Sequence, residues 1–468
     1  MFFLVKKFPP AAFPVLLFIF FATTAPGEKQ DTPVAASLEL TEPGNYALDF
    51  PRFSRITPLS LTLENRGGQT LVGIYVYSRR DLGSIEAMVR EICLAARNDR
   101  EKAEALWRFM AKMVYNWHPA RGDGELHDPV KLVNVYGYGF CDDAALSLSS
   151  LWKEAGFEAR AWGIGGHVVA EVFYDNAWHM YDPDHYVFFE NEDKTVASLE
   201  ELEQNPEIVK NTRDPAGYDS KVMADLYASK ENNRKFKGAA RGHTMSFDLS
   251  PGEKWTSYKN NPIEYYSMQK KGKPKIFTNN VYHYNTRDIP LSPESPPGDN
   301  FENFSWLDRS KRILAIRDVS QKAVFSYRRN VPYVILKGAI HLECDLKDKT
   351  SRVRVFQKQK GKANILVGAF NGPGTVKKTM ELKYVRGEYG YNITLECYAK
   401  ERGDVSIREI DVRTTCQSSP FVFPHISSRN NVVTIRFEGE SPCLFLSLEY
   451  LWKKGRPSSR VAFPAEFK

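Results

Sequence analysis

Three residues capable of nucleophilic chemistry follow one another in a short span. Cys141 lies in Gly139-Phe140-Cys141-Asp142-Asp143-Ala144, His167 follows Gly165-Gly166, and Asp182 ends Trp178-His179-Met180-Tyr181-Asp182 before Pro183. A thiol becomes an effective nucleophile when a base takes its proton and a third group orients that base. Brought together, the three make a cysteine enzyme. Kept apart, Cys141 is a small hydrophobe of the kind common in cores. Zinc could use the same side chains in principle, but no Cys-x-x-Cys or His-x-x-x-His pair supports a metal site.

The elements that must position them can be read from periodicity. From Asp142 to Ala155 the apolar positions Ala144, Leu148, Leu151, Trp152 and Ala155 recur at three- and four-residue steps, one face of a helix, and Gly156 stands at its end. Cys141 therefore sits at the first turn, after Gly137 and Gly139. Unpaired amides and the positive end of the helix dipole favour a thiolate there and could hold a developing oxyanion. Phe157–Ile164, His167–Tyr174 and Ala177–Asp182 read as strands. If Asp175-Asn176 is a two-residue hairpin turn, Tyr174 faces Ala177 and Val169 faces Asp182. His167 and Asp182 then become diagonal neighbours on one sheet face, roughly 7 Å or less apart at Cβ. His179 points to the other face, and Glu171 shares the face of His167 as a candidate supporting group. A longer loop would shift this register. Asp184 is the fallback orienting acid, although Pro183 should end the strand before it. Trp117 is a candidate extra oxyanion donor.

The run from Gly139 to Asp184 resembles the core of the transglutaminase-like superfamily. The features that carry the resemblance are Gly139, Cys141, Gly156, Ala159-Arg160, His167, Glu171, Trp178 and Asp182-Pro183, together with the upstream helix around Ala105-Leu106-Trp107-Arg108-Phe109. It extends over Ser84 to Pro183. The family usually carries an aromatic two residues after the histidine, where this chain has Val169, and its Cys-to-His spacing is longer. The resemblance implies a papain-like α+β fold, Cys141 as nucleophile, His167 as general base, Asp182 as orienting acid and no metal or other cofactor. It further implies a thioester acyl-enzyme on a protein or peptide substrate, resolved by water in a peptidase or amidase and by an amine in a transglutaminase.

Composition and charge bound the rest. The 468 residues suffice for two or three domains, and the net charge of +7 is modest. Basic residues are scattered, with short clusters at Lys270–Lys275 and Lys358–Lys362, which read as solvated faces rather than a nucleic-acid patch. Lys6, Lys7, the apolar run Ala11–Ala25 and Ala25-Pro26-Gly27 read as an export signal, short for a membrane span, with an uncleaved N-terminal anchor as the alternative. The expectation is a secreted, periplasmic or cell-surface protein with no membrane span once the signal is removed. Four of the six cysteines, Cys344, Cys397, Cys416 and Cys443, fall near the C-terminus, which suggests two disulfides of undetermined pairing or four buried thiols.

These readings divide the chain into a signal peptide (1–27), a small N-terminal β segment (28–80), a transglutaminase-like core (81–245), a β extension with a Pro-rich linker (246–317), a C-terminal all-β sandwich (318–456) and a basic tail (457–468). Within the core, Asp99 is a plausible cap for the second helix, and a charge-rich, exposed helix is expected over 219–235. The sandwich is either structural or a module that takes a cell-surface glycan as partner. The function expected is an exported cysteine enzyme acting on amide bonds. The competing reading is a cell-surface binding or scaffold protein that keeps the fold without the chemistry.

Overall fold

The computed structural model describes side chains over residues 60–77, 80–119, 124–212, 223–228, 242–258, 265–266, 278–291, 300–359, 361–419, 421–422 and 435. Elsewhere it describes backbone alone, chiefly in strands near the two termini and at Arg234–Phe236. The expected export signal lies largely outside the described residues, the basic tail wholly so. The Pro-rich stretch is outside them over 292–299.

Three helices, Ile85–Cys93, Asp99–Met113 and Cys141–Glu154, pack together. Ser84 caps the first by accepting from the Ala87 amide, and Asn98 caps the second by accepting from Glu101. The cap is thus Asn98 rather than Asp99, which is the first helical residue and places its carboxylate at the positive end of the helix.

The helices cover a four-stranded antiparallel sheet in the order Ala177–Tyr181, His167–Tyr174, Glu158–Ile164, Arg234–Phe236. Alternation along the strands sends Ala159, Ala161, Val168, Ala170 and Val172 to the helical side, where they meet Ala144, Leu148, Leu151 and Trp152. Trp152 is fully buried, and its indole N–H donates to the Ala103 carbonyl. Cutting it to alanine would cost about 3–5 kcal/mol. The opposite face, with Ile164, Val169 and Met180, is covered by Val187, Phe189, Leu199, Leu202, Met223 and Tyr227. The helix expected over 219–235 is shorter, Ser220–Tyr227. It is not merely a solvated element: Met223, Ala224 and Tyr227 are buried against the sheet.

The remaining strands form a large β-rich region. A five-stranded sheet runs in the order Phe301–Glu302, Ala323–Asn330, Gly390–Tyr398, Arg352–Lys358, Ile365–Asn371. Phe325, Tyr327, Val353, Val355 and Leu395 from this sheet share one core with Tyr284, Ile340, Leu342 and Val412 from a larger sheet. The segments expected as an N-terminal β segment, a β extension and a C-terminal sandwich share sheets. Thr278–Asn285 pairs with Val405–Ser418, and Leu446–Lys454 lies between Val34–Leu40 and Ile56–Asn65. Cys344, Cys397 and Cys416 are free, buried thiols, so no disulfide joins them; Cys443 lies outside the described residues.

This β-rich region buttresses the segment that leads into Cys141. Ser419 donates its amide to the Asn134 carbonyl, and Gln417 donates to the Tyr138 hydroxyl. The Tyr138 hydroxyl in turn donates to the Tyr266 carbonyl.

Candidate active site

Cys141 is the first residue of its helix and is half-buried. Its approach is fixed by two glycines. Gly137 has φ +71°, and a Cβ there would sit 2.6 Å from the Ser419 hydroxyl. At Gly139 a Cβ would come within 2.8 Å of the Asp143 carboxylate. That close approach lets Asp143 accept from the Phe140 amide at 2.9 Å, closing the helix start. Tyr115 and Trp117 donate their amides to Gly137 and Gly139, so a second strand runs beside this entry. Burial, then neighbouring Asp142, pushes the Asp143 carboxyl up to about 7. Asp142 and Asp143 converge on His127, with oxygens 3.7 and 3.5 Å from its Nε2.

The hairpin has the expected two-residue turn. Asp175 and Asn176 both take positive φ, 49° and 62°, as this kind of turn requires. The register runs from Tyr174↔Ala177 to Ala170↔Tyr181. Its next step places His167 and Asp182 on one diagonal. His167 Nε2 lies 2.6 Å from Asp182 Oδ2. The other nitrogen, Nδ1, is left for the sulfur. Cys141, His167 and Asp184 each bring a donor atom within 4.8 Å of the others.

Asp182 is fully buried and surrounded by donors. Besides His167, its Oδ2 accepts from the Tyr227 hydroxyl and lies 3.3 Å from His185 Nδ1. Its Oδ1 accepts the Asp184 and His185 amides at 2.8 and 3.0 Å. Its backbone is held by two hydrogen bonds with Val187, and its carbonyl accepts the Trp107 indole N–H at 2.9 Å. The carboxylate is therefore rigid and solvated by the protein itself. Burial pushes its carboxyl up, but His167 and His185 outweigh that and hold it well below the usual carboxylate range. Burial pulls the His167 imidazolium down; Asp182 and then Cys141 overcome this, and His167 is pushed up to about 10. A charged imidazolium beside the sulfur is the form that sustains a thiolate.

His185 stacks on His167 with ring centroids 4.3 Å apart, and its Nδ1 meets the Tyr227 hydroxyl at 2.8 Å. Asp184 does not replace Asp182 as orienting acid. It stands beside the cysteine–histidine pair and accepts both of its hydrogen bonds from Asn116 Nδ2, at 2.9 and 2.8 Å. Burial lifts its carboxyl above the ordinary value. Glu171 does not support His167 either. Its buried carboxylate accepts from Arg160 and Trp162 at 2.6 Å each and from the Leu199 amide at 2.8 Å. It ties the sheet to the helix at Leu199–Gln204, while Arg160 lies 3.8 Å over the Trp178 ring. His179 faces away as expected, with Nδ1 on the Val196 carbonyl.

Sequence reasoning missed His185, Tyr227 and Asn116 as parts of this site. His185 had a local signal, three residues past an Asp-Pro turn. Tyr227 and Asn116 had none near the nucleophile.

Comparison with solved structures gives only faint likeness. The VP2 protein of infectious bursal disease virus shows 9% identity over 95% of this chain and 80% of that one, with a TM-score of 0.21. An isomalto-dextranase of Arthrobacter globiformis T6 shows 11% identity over 39% of this chain, which spans 27% of that one, with a TM-score of 0.14. The 11S allergen of Cocos nucifera shows 9% identity over 89% of this chain and 90% of that one, with a TM-score of 0.11. Similarities this slight carry no argument. No curated protein matches the sequence. The helix, hairpin and aspartate that converge on Cys141 nevertheless fall in a recognised stretch: residues 86–183 match the family model of the transglutaminase-like superfamily.

Proposed function

We propose that the protein is an exported cysteine enzyme that acts on amide bonds of a protein or peptide through a thioester. The observation that carries this reading is the convergence of Cys141 with a histidine whose far nitrogen is held at 2.6 Å by a buried carboxylate. Three coupled groups in this relation are what thiol activation requires.

In this reading the Cys141 sulfur attacks the carbonyl carbon of a carboxamide. The C=O pair moves onto oxygen, and the main-chain amides at the helix start that Cys141 opens are the donors offered to it. When the tetrahedral intermediate collapses, the C–N bond breaks and His167 gives its Nδ1 proton to the leaving amine. The thioester remains on Cys141. His167, now neutral, takes a proton from the attacking water or amine, and the sulfur leaves. Asp182 keeps the imidazole in one orientation and balances its charge in both halves. Water gives a peptidase or amidase; a primary amine gives acyl transfer. Hydrolysis is the favoured outcome, since water competes wherever the cleft is open.

Product analysis tests the proposal. The wild type and Cys141→Ala are incubated with a peptide library, with and without a labelled amine. Cys141-dependent fragments support a peptidase, and Cys141-dependent amine incorporation supports a transglutaminase. Products identical for the two proteins would refute the catalytic reading.

A further inference from the structure

Asp184 has no part in the thioester mechanism, yet its carboxylate is held against the reactive pair. Cys141, His167 and Asp184 are a thiol, an imidazole and a carboxylate whose donor atoms all lie within 4.8 Å of one another. Tetrahedral zinc, with bonds of about 2.0–2.3 Å, sets its ligands about 3.3–3.8 Å apart, so the cluster needs only a small contraction to close on a metal ion. We propose that this cluster is a reversible zinc site with three protein ligands and one open position, and that zinc binding there caps the nucleophile.

Two independent features favour this over chance proximity. The first is the support behind each ligand. His167 already directs Nε2 to the Asp182 carboxylate, which leaves Nδ1 to a metal and fixes the ring. A carboxylate on the far nitrogen is the usual companion of a zinc-bound histidine. Asp184 is clamped by Asn116 through both oxygens, so a second support exists for the second ligand. The other feature is charge. A Cys141 thiolate would stand beside the Asp184 carboxylate, while a second carboxylate, Asp182, is engaged by the facing bases His167 and His185. A divalent cation relieves that crowding more fully than one imidazolium can. Asn116 is exposed, so the cluster has an entry path from solvent.

The step balances simply. The ion takes up the thiolate, the neutral imidazole and the Asp184 carboxylate, and the proton held between Cys141 and His167 is released to solvent. Bond formation blocks attack on a carbonyl, since the sulfur lone pair is then committed to the metal.

The proposal uses the same cysteine and histidine as the catalytic reading but not its reaction, so its test needs no turnover. Full-length protein is titrated with Zn2+ by calorimetry, and with Co2+ while the near-ultraviolet thiolate-to-cobalt band is followed. One equivalent of metal should bind with release of a proton. The cobalt band should vanish in Cys141→Ser. Asp184→Asn should weaken binding at least tenfold. Asn116→Ala, which leaves all three ligands in place, should weaken it about 10–100-fold, as loss of an outer support usually does. In the unmutated protein, saturating Zn2+ should protect Cys141 from alkylation. Absence of the cobalt band, or zinc binding unchanged in both Cys141→Ser and Asp184→Asn, would overturn the site. A failure of this kind leaves the peptide-library assay free to succeed.

Discussion

Among the described residues, two aspartate–histidine pairs are built on the same plan. His167 Nε2 meets Asp182 Oδ2 at 2.6 Å, and His283 Nε2 meets Asp411 Oδ2 at 2.5 Å. Both are diagonal neighbours across antiparallel strands. For the second pair the register sets His283 opposite Arg413 and Asn285 opposite Asp411. The surroundings differ. Asp182 is fully buried, and its partners are His167, Tyr227, His185 and two main-chain amides. Asp411 lies on an interior strand of the large sheet, between Asn285 and His341, takes further bonds from Asn285 and Arg413, and its histidine side chain keeps 24% of its surface. Most of all, the first pair opens toward a thiol at a helix start, and the second toward a sheet surface. A histidine oriented by a carboxylate is thus an ordinary product of sheet register. What sets one pair apart is a third element aimed at its free nitrogen.

The sharpest way to break the comparison is to remove each carboxylate in turn. Asp182→Asn should lower the turnover number about 10⁴-fold, because the imidazole loses the partner that fixes its tautomer and charge. Asp411→Asn should leave turnover unchanged and cost only about 1–3 kcal/mol of stability. Equal losses of activity in the two variants would mean that both pairs merely hold the fold.

The cysteines extend the contrast between the regions. Cys344 is pushed up to about 12 by burial, then by Asp345, and burial raises Cys397 and Cys416 as well. Cys93, on the first helix, is also raised by burial. Iodoacetamide near neutral pH should therefore modify Cys141 first, at least tenfold faster than Cys93, and the three buried thiols of the β-rich region only on unfolding. Peptide mapping by mass spectrometry after short exposures checks the order. Comparable rates at Cys93 and Cys141 would remove the special status of the helix start.

Much of the Cys141 site could be read before any coordinates, for local reasons. A strand has period two and a two-residue turn has one register, so Asp175-Asn176 decided the face and the offset of His167 and Asp182 together. The helix start at Cys141 followed from apolar spacing. The supports could not be found this way. Tyr227 comes from a helix whose charged flank hid the buried trio Met223, Ala224 and Tyr227, although their one- and three-residue spacing carried a helical signal. Asn116 reaches Asp184 across a gap that no local pattern encodes. The β-rich region illustrates the same limit. Its strands were evident from alternation, but their partners were not, because Leu446–Lys454 pairs with strands near the other end of the chain. A disulfide framework was one reading of the cysteine count, yet Cys344, Cys397 and Cys416 are spent on packing.

Charge on His167 gives a pH-dependent test of the same pair. Its value is raised from 6.5 to about 10, so the stability it contributes is fully present below 6.5 and is lost as pH rises through about 10. Asp182 is displaced in the opposite direction, so its contribution is present above its ordinary value of 3.8 and is lost as pH falls below it. Urea unfolding across pH 6 to 10.5 should show a decline in the wild type that is absent in His167→Gln. A decline of the same size in both proteins would assign the titration to another group.

The smallest expected effect concerns a support of the Asp182 carboxylate that comes from outside the hairpin. Tyr227 donates its hydroxyl to the Asp182 carboxylate and lies on a separate helix, so it can be removed without disturbing the hairpin. Its ring packs on Phe189 with centroids 5.0 Å apart, and that contact survives in Tyr227→Phe. The substitution removes a hydrogen bond to a charged, buried acceptor, worth about 1.5–3 kcal/mol, together with the 2.8 Å contact of the hydroxyl with His185. Stability measured by urea unfolding should fall by that amount. Turnover should fall less than in Asp182→Asn, because the carboxylate keeps His167 and two main-chain amides. If Tyr227→Phe proved as damaging to turnover as Asp182→Asn, the hydroxyl would be setting the position of the carboxylate rather than sharing its load. The Asp182 pair would then depend on the covering helix and not on the hairpin alone.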